Sequence, residues 1–242
     1  MATKKKLANT ERQKLSRDVV IQAAIKLTDE IGIEALSMRK LAENLKVEVM
    51  SLYNHVKNKE DLLDAMVDEV VAQMYLPDCG PDSDKYWRQE LAQACLSSHT
   101  VLMKHPWASM LLVSRPAVGS AKMAHFNAIQ GCFVHAGFSP QVADQARHVM
   151  ESHLYGFTLQ KLLYPTPEGD YAKAASQFLP MLPREHYPHS YALVETVAGG
   201  QYDGKHDFEF GLTFILDCIQ KILDAEITQP KLKVATLKKA KR

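Results

Sequence analysis

Val49, Met50, Ser51 and Tyr53 crowd into the stretch AENLKVEVMSLYNHVKNKEDLL, residues 42–63, beside Lys46, Lys57 and Lys59. Apolar, hydroxyl-bearing and cationic side chains at this density suit contact with a polyanion whose edges carry methyl groups and hydrogen-bonding atoms. The spacing sets two short helices around a tight corner. Ala42 is the small residue where the helices cross, Lys46 occupies the turn, and Leu52 anchors the second helix. Leu41, Leu45, Val47 and Val56 complete the lock, so Val49, Met50, Ser51 and Tyr53 turn outward. Lys46 stands where a left-handed turn favours glycine, at a cost of about 1 kcal/mol. An ammonium reaching a phosphate there would offset part of that cost. The same pattern also suits an ordinary helical hairpin whose outward residues meet only solvent.

The charge distribution points the same way. Net charge over the 242 residues is +1, but Met1 to Lys59 hold 12 Lys+Arg against 7 Asp+Glu, and the remainder 17 against 21. A basic quarter on an acidic body fits a polyanion-binding module joined to something else, as does a chance fluctuation of surface charge. Apolar content of 46% and charged content of 24% are those of a globular chain. The longest apolar run, WASMLLV, is too short for a membrane span, and the N-terminal KKK has no apolar stretch behind it. Cys79, Cys95, Cys132 and Cys218 are scattered, a pattern that fits reduced thiols in a cytosol.

Helices must position the corner, and nearly the whole chain reads as helix. Ser16 caps a first helix with Val20, Ala24, Leu27 and Ile31 on one face, ended by Gly32. Ser37 caps a second. The third, after the Lys46-Val47 corner, covers 48–55, and Asn58 opens a fourth that carries Leu62, Met66, Val70 and Met74 inward. LPDCGPDSD (76–84) is a break. Further helices are expected over 85–104, 107–113, 119–136, 141–164 (opened by Ser139-Pro140) and, more weakly, 171–179, with loops at 164–170 and LPREHYPHS. The last, 207–227, sets Phe208, Leu212, Ile215, Ile219 and Ile222 in register. The expected architecture is all-α. Residues 1–62 form a helix-turn-helix domain with a basic arm over 1–15, and 63–228 a larger helical domain. Residues 229–242 form a basic tail.

The segment GIEALSMRKLAENLKVEVMSLYNHVKNKEDLLDAM resembles the DNA-binding segment of the tetracycline-repressor (TetR) family, through RKLA, V…LY.HVKNK and LLDA. It departs at Lys46, where the family favours glycine. The resemblance implies base reading by Arg39, Val49, Met50 and Ser51, and phosphate contacts by Tyr53, His55 and Lys59. Ser37 and Lys46, at the two ends of the second helix, complete the DNA-facing set. The chemistry agrees: a guanidinium can grip guanine O6 and N7, and Val49 or Met50 can meet a thymine methyl.

The body resembles the family's tetracycline-repressor-type C-terminal domain in YWRQEL, HPWASMLLVSRP, HAGFSPQVA, LYGFTLQ and FEFGLTFILDCIQKIL, while 165–206 match little. That resemblance implies a homodimer on a palindromic operator, joined through helices 141–164 and 207–227, where Gly156 and Gly211 permit close approach. It also implies release by a small-molecule effector. An activator, or a DNA-binding regulator that answers to no ligand, is the alternative reading of the sequence. The histidine and glutamate that hold a magnesium–drug chelate in tetracycline repressors fall here at Leu111 or Leu112 and at Tyr164, so tetracycline lacks its anchors. A soft apolar cavity is expected instead, lined by Met103, Trp107, Met110, Leu111, Phe126, Met150, Tyr155, Phe157 and Tyr164. Its polar handles would be His99, Ser114, His125 and His153. The same residues also suit plain core.

No Ser/His/Asp constellation, glycine-rich phosphate loop or paired carboxylates point to an enzyme, and no cofactor is implied. His186 and His189, three apart, are a weak metal pattern, and none is expected to bind. The resemblance implies a bacterial, cytoplasmic, nucleoid-associated protein.

Overall fold

The computed structural model describes residues 14–78, 80, 86–115, 119–163 and 171–228. Among them every regular element is helical, and two compact units form. The first is drawn from Met1–Gln73 and Lys104–Met123, the second from Met74–Met103 and Ala124–Arg242.

In the first unit, α1 (Arg17–Ile31) opens on Ser16, whose Oγ accepts from Val19 N at 3.2 Å. It closes at Gly32, where φ is 79°. Ser37 Oγ caps α2 (Met38–Leu45) by accepting from Lys40 N. Lys46 takes the left-handed conformation the corner requires, φ 56° and ψ 45°, and Val47 N donates back to Ala42 O at 3.0 Å. The recognition helix α3 is Val49–Tyr53, shorter than the expected 48–55. Its last turn closes early, because His55 N and Val56 N both donate to Leu52 O. Asn58 Oδ1 accepts from Asp61 N to cap α4 (Lys59–Ala72). The shared core is Val20, Ala24, Leu36, Leu41, Ala42, Leu52, Val56, Leu62 and Met66, all nearly fully buried. α6 (Pro106–Ser114) packs on α1 and α4.

The second unit holds α5 (Trp87–Lys104), most of α7 (Ser120–His135), α8 (Pro140–Leu163) and α11 (Phe208–Thr228). Trp87, Phe133 and Phe138 pack edge-on or tilted in its core at 5.3–5.9 Å between ring centroids. α8 packs on α11, where a Cβ added at Gly211 would lie 2.4 Å from His153 Cε1, so the close approach at Gly211 is made within the protomer. Gly156 instead faces open space in the protomer. α9 (Tyr171–Phe178) and a 3-10 turn (Leu179–Met181) lead to α10 (Pro188–Ala198), which packs on α9.

Besides the shortened α3, Ile31 at the end of α1 is exposed rather than on the buried face, and three further expectations need correcting. HYPHS does not stay loop, because Pro188 takes the first helical position of α10, where its missing N–H costs nothing. The inward stripe of α11 is Phe208, Leu212, Leu216, Ile219 and Leu223, while Ile222 is exposed. Cys132, fully buried, is disulfide-bonded rather than a thiol. Cys95 stays a thiol, pushed up to about 12 by burial and by Glu151, and is therefore inert.

Candidate nucleic-acid interface

A five-residue helix has no stability of its own, so α3 is held from outside. Leu52, fully buried, fixes one face, and Arg17 fixes the end. The Arg17 guanidinium donates from Nη1 to His55 O at 2.7 Å, and both its nitrogens reach the Asp61 carboxylate at 2.9–3.0 Å. Asp61 Oδ2 also accepts from Lys57 N at 2.8 Å. The α3–α4 turn is thereby tied to the start of α1. Arg17 was not singled out from sequence. Its signal was a cation in the first turn of a helix, where the dipole disfavours one.

The guanidinium first, then the backbone bond from Lys57, lowers the Asp61 pKa from 3.8 to about 2, against burial. A depressed carboxylate contributes stability above its unfolded pKa and loses it as pH falls through the folded value. Asp61→Asn is therefore expected to cost about 1 kcal/mol at pH 7, discounted because the Arg17 side chain is nearly half exposed. Urea midpoints of the two proteins should converge between pH 4 and pH 2. A constant gap across that window would remove the ion pair as its cause.

With that scaffold set, the outward face follows. Met50 is 73% exposed, the Arg39 side chain 85% and Tyr53 42%. Val49 and Ser51 are half-buried beside them. Arg39 Nε donates to Glu43 Oε1 at 3.0 Å, one turn on, which leaves both terminal nitrogens to form a fork. Exposed Lys46 stands at the corner, its N–H spent on Glu43 O. Ser37 Oγ is occupied as a cap but keeps its own proton to donate. His55 is half-buried. Lys59 Nζ donates to Leu36 O at 2.9 Å, which parks its charge over the α1–α2 loop with two ammonium protons left. A lysine in the first helical turn of α4 again opposes the dipole.

The same unit carries three sets of contacts that no short motif announces. Glu60, Asp64 and Asp68 lie at i, i+4 and i+8 along one face of α4. Arg115, at the end of α6, donates to Asp64 Oδ1 at 2.5 Å, to Glu60 Oε2 at 2.7 Å and to Glu60 O at 3.1 Å. Asp68 accepts from Ala121 N and Lys122 N, so a side chain of α4 caps α7. A Cβ at Gly119 would collide with that carboxylate, 2.1 Å from its Cγ. Between α1 and α6, Asp29 Oδ1 accepts from Trp107 Nε1 at 2.7 Å and from buried His105 Nδ1 at 2.9 Å, and His105 Nε2 lies 3.2 Å from Gln73 Oε1.

A helix-turn-helix with an exposed recognition face is shared with known regulators. The family description "Bacterial regulatory proteins, tetR family" matches residues 20–66, and "Tetracyclin repressor-like, C-terminal domain" matches residues 80–223. The chain belongs to the TetR family.

Among TetR-family relatives, an HTH-type transcriptional regulator of Saccharopolyspora erythraea is 37% identical over 125 residues. The chain spans about half the length of that relative, 51%. The HTH-type transcriptional repressor DrrR1 of Streptomyces coeruleorubidus is 29% identical over 218 residues, covering 86% of this chain and 78% of that protein. Apo ActR of Streptomyces coelicolor superposes with a TM-score of 0.73 over 88% of this chain and 98% of its own, at 23% identity, a likeness of fold. ActR has also been crystallised with actinorhodin.

The cavity residues expected for a TetR-family protein divide between the units. In the first, Trp107 is buried with its N–H spent on Asp29, Ser114 Oγ donates to Met110 O of its own helix, Met110 is exposed and Leu111 half-buried. In the second, His99 and His153 both stack on Phe208, at 4.4 and 4.9 Å, with Phe157 edge-on. Thr158 Oγ1 spends its proton on Leu154 O, so His99 Nδ1 donates to it at 2.8 Å. His153 Nε2 donates to Phe208 O at 3.0 Å. Desolvation first, then Lys161 and His153, holds the His99 pKa below its usual value. Met103 is half-buried, Met150 is buried, and Phe126 carries the Arg147 guanidinium 4.7 Å above its ring. Burial raises the Tyr155 hydroxyl, with Glu151 and Cys95 adding to it. Tyr164 lies outside the described residues. Among the described residues no three His, Cys, Asp or Glu side chains gather to hold a metal ion.

Proposed function

We propose that the protein is a transcriptional repressor that binds a palindromic operator as a homodimer and leaves it when a small molecule occupies the second unit. The observation that carries this reading is the outward face of α2 and α3, with the Arg39 fork and Met50 free on a corner locked by Leu52. Arg39, Val49, Met50 and Ser51 read bases, while Ser37, Lys46, Tyr53, His55 and Lys59 hold phosphates. Arg39→Ala is expected to cost about 1–3 kcal/mol of operator affinity at one base position only. Lys59→Ala should weaken all sequences alike and reduce the salt slope by about 1. Fluorescence anisotropy on operator variants separates the two. Equal losses on every duplex for Arg39→Ala would move it to the phosphate set.

Dimerisation is supported by what α8 and α11 leave uncovered. Phe210 is 75% exposed and Phe214 65%, with Ile222 on α11 and Val149 and Leu163 on α8 also exposed. A second copy would cover them as a four-helix bundle and set two recognition helices one DNA turn apart, ~34–36 Å. Release is supported by the α4 carboxylates: a shift of α6 or of the first turn of α7 pulls on Arg115 or Asp68, and so on the helix that follows the corner. A 100-fold loss of operator affinity requires the ligand to prefer the released form by about 2.7 kcal/mol. DrrR1 is a repressor, and ActR, which shares the fold, holds actinorhodin. Among the described residues no helix is long and apolar enough to cross a membrane, and the bacterial cytoplasm, at the nucleoid, is where the protein would act. Sedimentation of the protein with a labelled operator duplex tests the reading directly. Two protomers per duplex support it, and one per duplex contradicts it.

A further inference from the structure

α2 carries its charges the wrong way round for its own stability. A helix favours anions in its first turn and cations in its last. The first turn of α2 holds Arg39 and Lys40 with no acid, and the last holds Glu43 with no base. α4, by contrast, sets Glu60 and Asp61 in its first turn. The order within the Arg39–Glu43 pair is also the weaker one, since a carboxylate supports a helix more when it stands four residues before a cation than four after it. Both side chains are largely exposed, 85% for Arg39 and 63% for Glu43, so water screens the pair and it adds little to the fold.

What the pair does set is direction. Helical side chains lean toward the N-terminus, so Glu43 reaches back along α2, and its Oε1 accepts from Arg39 Nε at 3.0 Å. A guanidinium offers two bidentate edges, Nε with one terminal nitrogen or the two terminal nitrogens together. With Nε taken, the second edge is the one left to grip a base. Ordering a long side chain before binding also removes that cost from the binding step.

The carboxylate has a second effect. Its charge repels a phosphate that approaches the same guanidinium, whereas O6 and N7 of guanine are neutral acceptors. Arg17 and Lys59, also cations in a first helical turn, are engaged within the unit, on Asp61 and His55 O and on Leu36 O. Arg39 alone of the three is held by one nitrogen with its charged end outward. We infer that Glu43 is a positioning residue for base reading, which holds Arg39 end-on through Nε and directs the guanidinium to guanine rather than to phosphate. The inference rests on the assignment of Arg39 to base reading above.

Two substitutions separate the parts. Glu43→Gln keeps an acceptor for Nε and removes the charge, while Glu43→Ala removes both. The unsubstituted full-length protein, both variants and Arg39→Ala each select bound DNA from one randomised duplex pool. The guanine that Arg39→Ala erases marks the position Arg39 reads. Preference for guanine there is expected to be about 30-fold in the unsubstituted protein, about 10-fold in Glu43→Gln and under about 3-fold in Glu43→Ala. On one duplex of arbitrary sequence, Glu43→Ala should bind about 3-fold more tightly, with a salt slope steeper by about 1, because the released guanidinium takes a phosphate. Glu43→Gln should keep the original slope. Both variants should melt within about 2 °C of the unsubstituted protein, because the bond from Lys46 N that closes the corner goes to the backbone O of Glu43. Full guanine preference in Glu43→Ala overturns the inference, as does a loss that comes with a fall of more than about 5 °C in melting temperature. A loss as complete in Glu43→Gln as in Glu43→Ala also overturns it, because the bond to Nε would then count for nothing. If Arg39→Ala erases no guanine, Arg39 reads no base, and its assignment above falls together with the inference.

Discussion

Phe210→Glu with Phe214→Glu is expected to give a folded monomer whose operator affinity is lower by at least about 100-fold. Both rings stand out of α11 on the side away from its buried stripe of Phe208, Leu212, Leu216 and Ile219, so the protomer does not need them to fold. A twofold interface buries each ring twice, and full burial of a phenylalanine is worth about 1.5–3 kcal/mol. Four glutamates in the same place would add repulsion and desolvation cost. The monomer keeps its recognition helix but reads one half-site, and the contacts of the second are lost. Light scattering behind size exclusion reports the mass, and circular dichroism checks that the helices persist. A dimer that survives both substitutions would place the interface elsewhere and remove α11 from it.

Asp29→Ala is expected to destabilise the protein by about 2–3 kcal/mol. Its carboxylate accepts from Trp107 Nε1 and from His105 Nδ1, and both of those side chains are buried. Truncation leaves two buried donors without an acceptor, and each unpaired group costs about 1–3 kcal/mol. Asp29 is itself 28% exposed, so water replaces part of what is lost and the sum falls short of a fully buried pair. Urea midpoints at constant m-value measure the change. A double-mutant cycle with Trp107→Phe should return at least about 1 kcal/mol of coupling. A loss under about 1 kcal/mol for Asp29→Ala alone would mean that α1 and α6 are held by apolar packing.

Local features of this chain were legible and long-range ones were not. Ser16, Ser37 and Asn58 cap the helices they precede because a cap needs only its own side chain and the amide three residues on. Lys46 was readable as left-handed because the corner geometry demands it of whatever residue stands there. Arg17 on Asp61, Asp29 on His105 and Trp107, and Arg115 on Asp64 span 44 to 78 residues of chain, and nothing in local spacing pairs them. The inward face of α11 was misjudged for a different reason. Its apolar residues nearly encircle the helix, so Ile222 and Leu223 fit helical spacing equally well, and only packing decides that Leu223 turns in. α10 is not announced locally, because a proline marks a loop as readily as it begins a helix. Of the expected cavity residues, Phe126 carries the Arg147 guanidinium over its ring, a pairing between two helices that no local spacing announces.

Selection of bound DNA from a randomised duplex pool over several rounds, repeated at two salt concentrations, tests the central claim most directly. The account predicts a palindromic site whose half-sites lie one helical turn apart, with affinity falling steeply in salt as several phosphate contacts require. Weak binding with no enriched sequence at either salt concentration would contradict it.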